Sequence, residues 1–383
     1  MRIAFYAPLK WPGHPVPSGD RLLARMFVAA LAAAGHEVLL ASRLRTFEGR
    51  GDAARQARIA AVGAALARRL IRRWQRPGTG APDLWFTYHV YHKAPDHLGP
   101  RVAHALRIPY VIAEASVAPQ QRDGNWHEGH AAAAAAIRDA DAVICVNPAD
   151  VPHVTATRVP GAITVLLPPF FDGAGFAAAG ETDEARAAAC ALVPPPTSPR
   201  LITVAMMREG DKLASYLALA DALERLPERP WHLVVVGGGA AAGAVHARFA
   251  SFAPDRVRFV GTQPPATVAA LLAGADLFVW PAVAEVIGLA LLEAQACGVP
   301  VVAGRRPGVA AIVDDGRTGQ LTPPGDTAAF AAAVGALLDD PAGRAAMGRR
   351  ARVHARERHG LASAAHALDA LLARVRAARE ATR

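Results

Sequence analysis

Short apolar segments alternate with helical patterns along the whole chain. The segment "RIAFYA" at 2–7 is followed by a helical pattern at 20–34 that stops before Gly35, and "HEVLLAS" at 36–42 comes next. Strands that are apolar along their length and are separated by helices are typical of a parallel sheet covered on both faces. The alternation therefore predicts an α/β fold built on doubly wound, Rossmann-like parallel sheets.

The composition changes in the middle of the chain, which indicates two domains. Residues 172–199 are rich in Gly and Ala and end in "VPPPTSP", as a semi-rigid linker would. The 383 residues also exceed one ordinary core. We predict an N-terminal domain at 1–171, the linker, a second domain at 200–360, and a C-terminal helix at 361–383 that packs back on the first domain. Ligands are expected in a central cleft that both sheets face.

The charge of the chain bears on its partners. The formal net charge is +9, and most of the 42 basic residues are arginines. No segment interleaves aromatic and basic residues as nucleic-acid-binding motifs do, so no nucleic-acid partner is expected. The few lysines include Lys10, Lys93 and Lys212, which each follow a predicted strand, where ligands gather in α/β folds.

The sequence also predicts a cytoplasmic protein. No apolar run approaches the roughly 18 residues of a membrane-spanning helix, and "MRIAFYAPLK" is a strand pattern rather than a signal peptide. The cysteines Cys145, Cys190 and Cys297 contain no C-x-x-C pair. Neither a disulfide framework nor a zinc site is therefore expected.

A glycine-rich turn raises the question of a nicotinamide or flavin cofactor. The segment "VVVGGGAAAG" at 234–243 begins like a dinucleotide-binding fingerprint. Gly243 comes late for that fingerprint, and Asp255 precedes a strand instead of ending one. A turn that brings Gly238 close to another ligand explains the pattern as well, and we favour that interpretation over dinucleotide binding.

Two cations follow a strand in "VAMMREGDKLASYLALADAL" at 204–223. Arg208 and Lys212 precede or open the next helix. An arginine fork, a lysine point charge and a helix N-terminus together suit a diphosphate. The alternative is an exposed loop with ordinary surface charges.

Two carboxylates interrupt the apolar segment "DLFVWPAVAEVIGLALLEAQACGVPVVAG" at 276–304. Glu285 is expected in the loop after a strand, and Glu293 on a helix that begins near Gly288. Eight positions correspond to a net rotation of about 80° on a helix, so both side chains can face one cleft. The separation suits the two ends of an extended ligand, and an internal salt bridge is the alternative for Glu293.

These segments, in this order and with "VRFVG" and "VDDGRTGQLTPPGD", resemble the donor half of family 4 retaining glycosyltransferases of the GT-B fold over about residues 200–340. The first half resembles that family more loosely, in its strand order and in "PSGD" at 17–20. The resemblance implies transfer of a sugar, with retention, from a nucleotide-diphosphate sugar, with UDP ahead of GDP as the nucleotide. It implies no bound cofactor and no divalent metal. The acceptor hydroxyl is left open, a lipid-linked or cell-envelope glycan being one expectation. A GT-B protein that binds the sugar nucleotide without turnover is the alternative.

The resemblance implies a contact for each part of the donor. Glu293 would bind the ribose hydroxyls. Arg208 and Lys212 would hold the diphosphate and stabilise its charge as it leaves, and Glu285 would bind the hydroxyls of the donor sugar. The remaining donor contacts are turn and backbone positions: Gly19, Gly238, Ile287, Gly288 and Leu289.

The chain departs from the family at two places. Val286-Ile287-Gly288 stands where many members have Gly-Phe-Gly. Many members carry a histidine where the strand that corresponds to "PYVIAEAS" at 109–116 ends, whereas this chain has Glu114 and Ser116 there. These two residues, with His89 and His92 of "TYHVYHKAPD", are candidates for contacts to the acceptor or to the donor sugar.

A basic amphipathic helix is predicted at 54–74. Its apolar face comprises Ile59, Val62, Leu66, Leu70 and Trp74, and its arginines are Arg55, Arg58, Arg68, Arg69, Arg72 and Arg73. Such a helix can lie on an anionic membrane at the inner membrane face. The favoured interpretation is that the apolar face packs on the sheet of its own domain.

Overall fold

The computed structural model describes residues 1–16, 18–193 and 198–381. The chain divides into two compact units. Unit 1 is Met1–Pro168 together with the chain from Leu361, and unit 2 is Pro169–Gly360.

Twelve strands and fifteen helices of four or more residues form within the described residues. The strands are β1 Arg2–Tyr6, β2 Glu37–Leu40, β3 Leu84–Val90, β4 Tyr110–Ala115, β5 Ala142–Cys145, β6 Ile163–Leu166, β7 Arg200–Val204, β8 His232–Val236, β9 Val257–Gly261, β10 Leu277–Trp280, β11 Val301–Gly304 and β12 Gly319–Thr322. The helices are α1 Gly19–Ala33, α2 Ala53–Trp74, α3 Gly99–Leu106, α4 His127–Asp139, α5 Val151–Thr157, α6 Gly173–Gly180, α7 Asp183–Leu192, α8 Asp211–Leu223, α9 Ala242–Phe249, α10 Pro265–Ala273, α11 Leu289–Ala296, α12 Pro307–Ala310, α13 Thr327–Asp339, α14 Pro341–His359 and α15 Leu361–Ala381.

Each unit contains one six-stranded sheet. The strand order is β2-β1-β3-β4-β5-β6 in unit 1 and β12-β11-β10-β7-β8-β9 in unit 2. All neighbouring strands run parallel. The predicted α/β architecture of two doubly wound parallel sheets is therefore confirmed. The order reverses between β1 and β3 in unit 1 and between β7 and β10 in unit 2, and these are the switch points where such sheets bind ligands.

Local sequence sets the ends of α1. The hydroxyl of Ser18 accepts a hydrogen bond from the amide of Arg21 and caps the helix. Gly35 follows the helix with a φ of 81°, a conformation that favours glycine. Gly19 is the first residue of α1 rather than a loop residue, and Pro17 of the "PSGD" motif lies outside the described residues.

The basic helix α2 packs within its own unit, where it contacts α3 and α4. Ala67, Leu70 and Trp74 are buried in the core with Trp85 of β3. The predicted apolar face is wrong at Val62, which is 52% exposed. No helix among the described residues is both long and apolar enough to span a membrane.

The predicted linker is wrong for most of its length. Residues 173–192 form α6 and α7, and both helices contact α10 of unit 2. Gly180 makes this contact close, since a Cβ there would lie 2.7 Å from the Ala269 carbonyl carbon. Residues 194–197 of the Pro-rich segment lie outside the described residues.

The helix that follows unit 2 belongs to unit 1. α15 contacts α1, and its Arg379 forms an ion pair with Asp141 at 2.6 Å. Its apolar residues Leu368, Leu372 and Val375 are buried.

Candidate functional site

The cations and the first glutamate predicted for the donor lie in the segments that follow two adjacent strands: Arg208 in a loop, Lys212 in the first turn of α8 and Glu285 in a loop. β7 and β10 pair directly at the switch point of unit 2. Arg208 and Lys212 follow β7, and Glu285 follows β10. The fold therefore brings these two loops together where a doubly wound sheet binds its ligand.

Lys212, in the first turn of α8, and Glu285, in the loop after β10, form an ion pair. Lys212 Nζ lies 2.5 Å from Glu285 Oε2, and the two side chains are 20% and 14% exposed. The indole N–H of Trp280 donates to the same oxygen at 3.0 Å. Lys212 Nζ also lies 5.3 Å from the centre of the Trp280 ring. Two partners thus fix one oxygen of Glu285, while Oε1 accepts no hydrogen bond from the described residues.

Arg208 stands apart from this pair. Its side chain is exposed, and no acceptor among the described residues lies within hydrogen-bonding distance of its guanidinium. The backbone of the loop is better fixed, because the amide of Leu213 donates to the Arg208 carbonyl at 3.0 Å. The guanidinium is consequently available to an anion from solution.

A run of three glycines supports the loop that carries Arg208. The amide of Met207 donates to the Gly238 carbonyl at 2.9 Å. A Cβ on Gly237 would lie 1.9 Å from the Ala205 carbonyl oxygen, and one on Gly239 would lie 2.3 Å from the Met207 carbonyl oxygen. Both glycines have positive φ, at 146° and 151°. The structure therefore gives these glycines a packing role, and a donor contact at Gly238 stays a prediction.

Replacing Gly237 with alanine is expected to destabilise unit 2 and the Arg208 loop. The φ value and the overlap with backbone together should lower the free energy of unfolding by about 2–4 kcal/mol. Gly243→Ala is the matched control, because no atom lies within 4 Å of its Cβ position, on helix α9. That control should stabilise by up to about 1 kcal/mol. Denaturant unfolding of both variants provides the measurement, and equal midpoints would contradict the packing role.

The loop between β10 and α11 is tightly held. Ala282 has a φ of 52°, which is uncommon for a residue with a Cβ. The amide of Val283 donates to the Ser215 hydroxyl at 3.1 Å, and the Val283 carbonyl accepts a hydrogen bond from Arg306. These contacts position the backbone that leads into Glu285.

Free amides follow Glu285 at the start of α11. Gly288 has a φ of 75° and precedes the helix. Within the described part of the chain, the amides of Ile287, Gly288 and Leu289 donate to no protein acceptor. Amides at a helix N-terminus that lack partners attract hydroxyl and anionic oxygens.

Glu293 lies on α11 and is a partly buried acid without a partner. No donor or cation among the described residues reaches its carboxylate, so the alternative of an internal salt bridge is wrong. Burial raises its pKa to about 7. Because Glu285 precedes the helix, the predicted helical rotation does not relate the two glutamates. A buried carboxylate of this kind gains most from a ligand that donates hydrogen bonds.

The switch point of unit 1 is also bridged by a pair of side chains. His89 Nδ1, at the end of β3, lies 3.1 Å from Asp20 Oδ1 in the first turn of α1. Burial opposes the charge of His89, but Asp20 and Glu114 raise its pKa. Glu114 is 9% exposed, and burial raises its pKa to about 7.

The two remaining candidates of unit 1, Ser116 and His92, lie at different sites. Ser116 donates to Asp150 Oδ1 at 2.5 Å, beside the His89 and Glu114 group. His92 instead stacks edge-on against Trp126 at 5.8 Å. It lines a separate cavity of about 250 Å³ beside α2 and α4. His92 is therefore not part of the group that contains His89.

Sequence reasoning missed several residues of these sites. The additional residues are Asp20, Tyr88, Asp150, Trp280 and Arg306. Trp280 and Arg306 carry a signal in hindsight, since each ends or follows a predicted strand. No group of three or more His, Cys, Asp or Glu residues in the described ranges is placed to hold a metal ion.

The family model and the curated relatives that match this chain are all described as glycosyltransferases. Residues 198–340 match the family model described as glycosyl transferases group 1. The D-inositol 3-phosphate glycosyltransferase of Corynebacterium efficiens is 37% identical over 144 residues, which are 36% of this chain and 34% of that protein. D-inositol 3-phosphate glycosyltransferase 2 of Catenulispora acidiphila is 40% identical over 161 residues, or 40% and 38% of the two chains. The chain thus spans about a third of the length of the curated relatives it matches.

Solved structures match nearly the whole chain. Sucrose-phosphate synthase of Thermosynechococcus elongatus has a TM-score of 0.73 at 22% identity and covers 98% of this chain and 99% of its own. Anabaena HepE, solved in complex with UDP, has a TM-score of 0.74 at 17% identity over 97% and 100% of the two chains. At these identities the comparison shows the fold, which is GT-B.

Proposed function

We propose that this chain is a retaining glycosyltransferase that moves a sugar from a nucleotide-diphosphate sugar to a hydroxyl acceptor. The observation that carries the proposal is the set of polar groups at the switch point of unit 2. An unpartnered Arg208, the Lys212–Glu285 pair and the unpartnered acid Glu293 lie within the segment that matches the glycosyl transferase model. UDP is proposed ahead of GDP, and HepE was solved with UDP.

Each part of such a donor has a matching group in unit 2. Arg208 can form two parallel hydrogen bonds to diphosphate oxygens. Glu285 Oε1 and the amides of Gly288 and Leu289 can receive the hydroxyls of the sugar. Glu293 can accept hydrogen bonds from the ribose hydroxyls, which would satisfy its buried carboxylate. The proposal therefore uses groups that have no partner in the part of the chain that the structure describes.

The cations would also act on the reaction itself. The bond between the anomeric carbon and the β-phosphate oxygen breaks, the acceptor oxygen forms the new bond to that carbon, and the acceptor proton passes to the departing phosphate oxygen. Negative charge then develops on the diphosphate, where Arg208 and Lys212 can stabilise it. Because fixed cations supply that charge, we propose that no divalent metal is needed, and that EDTA leaves turnover unchanged.

Two kinds of acceptor are compatible with the proposed transfer, and one of them implies a location for the protein. The relatives are named for D-inositol 3-phosphate, so a phosphorylated cyclitol is one candidate acceptor. A lipid-linked or cell-envelope glycan is another, with the protein cytoplasmic and the exposed arginines of α2 facing the inner membrane. A protein that binds the donor without turnover is the second function, favoured by the absence of the usual histidine where Glu114 stands.

A calorimetric titration with UDP, GDP, UDP-glucose, GDP-mannose and NAD tests the donor site. We expect one sugar nucleotide to bind selectively and Glu293→Ala to weaken that binding. Arg208→Ala should change the binding much less and should instead lower the rate of nucleotide release, measured in a separate turnover assay. Arg225→Ala is the matched control, because Arg225 is an exposed arginine of the same unit after α8. Failure of every sugar nucleotide to bind would overturn the proposal. Binding without nucleotide release, with any acceptor, would support the non-catalytic alternative.

A further inference from the structure

An acidic group of side chains surrounds the switch point of unit 1. This acidic cluster comprises Asp20, Tyr88, His89, Glu114 and Asp150. The charges of Asp20, Glu114 and Asp150 all act on His89. Those of His89, Asp150 and Asp20 act on Glu114, and of these only His89 lowers its pKa. The cluster thus contains three carboxylates and one imidazole from four elements: the first turn of α1, the ends of β3 and β4, and the segment before α5.

Two buried polar atoms in the acidic cluster have no partner. Glu114 Oε2 and the Tyr88 hydroxyl are fully enclosed and make no hydrogen bond among the described residues. Glu114 is 9% exposed and Tyr88 is 1% exposed. The two groups are neighbours, since the charge of Glu114 raises the pKa of the Tyr88 phenol in addition to burial. Buried polar groups without partners are rare and commonly await a ligand or a water molecule.

The other members of the cluster already have partners. Asp20 is bonded to His89, and Asp150 accepts from Ser116. Two basic side chains outside the cluster affect its carboxylates. The charge of Lys10 lowers the pKa of Asp20, and that of His153 lowers the pKa of Asp150. Neither is among the charges that act on Glu114. The cation that does act on Glu114 is His89, whose charge is shared with Asp20 and Asp150. Glu114 is the carboxylate of the cluster whose buried Oε2 has no hydrogen-bond donor among the described residues.

The unpartnered atoms of Glu114 and Tyr88, together with the charges around them, favour one class of ligand over others. A phosphate group would meet three carboxylates and be repelled. A neutral hydroxyl could satisfy one hydrogen bond but would not compensate the charge. An ammonium group offers three N–H donors and one positive charge at a single point, and therefore satisfies both needs.

We propose that the acidic cluster binds the acceptor substrate and that this acceptor is a polyol carrying a protonated amine, such as an amino sugar or an aminocyclitol. The inference rests on the proposed glycosyltransferase function and specifies its acceptor. It sets this chain apart from relatives named for a phosphorylated inositol, because the cluster disfavours a phosphate.

Matched ligands test the inference on the whole chain. Streptamine and scyllo-inositol differ only in two ammonium groups that replace hydroxyls. Calorimetry at pH 7.5, with and without UDP, should show streptamine binding at least tenfold more tightly than scyllo-inositol, and inositol 3-phosphate more weakly than either. Streptamine should also release protons on binding, because a bound cation lowers the pKa of Glu114, and buffers of different ionisation enthalpy measure that release.

Variants connect the preference to the cluster. Glu114→Gln should abolish the preference for streptamine over scyllo-inositol. Tyr88→Phe should lower the affinity for streptamine about three- to tenfold. Glu37→Gln, an exposed glutamate of β2, is the control and should bind as the wild type does. UDP affinity should change less than twofold in all three variants.

The outcomes separate this inference from the proposed function. Equal binding of streptamine and scyllo-inositol by the wild type, binding of neither, or a preference that survives Glu114→Gln would overturn the amine-bearing acceptor. In each of these cases, retained binding of a sugar nucleotide leaves the glycosyltransferase proposal standing. A streptamine preference in a chain that binds no sugar nucleotide would instead reject the proposed function while retaining the ligand class.

Discussion

Replacing Arg208 with alanine is expected to lower the rate of sugar transfer about 10²- to 10³-fold, with a much smaller effect on donor affinity. The guanidinium has no partner among the described residues, so its removal leaves no buried group of that part of the chain uncompensated. Its interaction with the donor should strengthen as charge develops on the leaving diphosphate. The loss should therefore appear in kcat rather than in KM.

Steady-state kinetics of nucleotide release measure this division. Arg225→Ala should retain wild-type rates, whereas Arg208→Lys should recover part of the loss because a point charge replaces a planar fork. Lys212→Met should have a different effect from Arg208→Ala, because it removes the cation that pairs with Glu285. The mostly buried Glu285 carboxylate would then keep Trp280 as its hydrogen-bond donor among the described residues. A loss of donor affinity in Arg208→Ala as large as the loss of kcat would contradict the proposed role.

Glu293→Gln should stabilise unit 2 at alkaline pH and impair nucleotide binding. The pKa of Glu293 in the folded chain is about 7, against an ordinary value of 4.5. The wild type is therefore most favoured below pH 4.5 and loses stability as the pH rises towards 7, because folding then disfavours the ionised carboxylate. At about 1.4 kcal/mol per pKa unit, the variant should gain up to about 3 kcal/mol above pH 7.5 and little at pH 4.

Denaturant unfolding of wild type and variant at pH 4 and pH 8 gives this difference directly. Glu228→Gln serves as the control, since Glu228 is an exposed glutamate of the same unit. The affinity for the sugar nucleotide should fall about tenfold or more in Glu293→Gln, because an amide is a weaker partner for two ribose hydroxyls than a carboxylate. A stability difference that is the same at both pH values would show that the carboxylate is not desolvated.

The sequence predicted the strands well because most of them are short apolar runs, although β2, β6 and β9 are only partly buried. It also placed Arg208, Lys212 and Glu285 after the correct strands, since α/β loops follow strand ends. It could not pair Lys212 with Glu285, which are 73 positions apart, because strand order decides which loops meet. Nor could it foresee two packed helices at 173–192, whose contact depends on Gly180 in a segment that has the composition of a linker.

The sequence predicted only part of the acidic cluster, because backbone conformation decides which side chains meet there. His89 and Glu114 adopt φ values of 64° and 62°, which few residues with a side chain populate. Such conformations redirect a side chain relative to the alternation of a strand, and no periodicity argument contains them. Functional sites commonly hold backbone strain of this kind.

The place of α15 has a consequence for the order in which the chain folds. Unit 2 lies between two parts of unit 1, and α1 is covered by a helix that begins only at Leu361. During synthesis the ribosome completes all of unit 2 before it releases the segment that closes unit 1. The first domain to begin is thus the second to finish, and α1 must remain uncovered while the domain behind it folds.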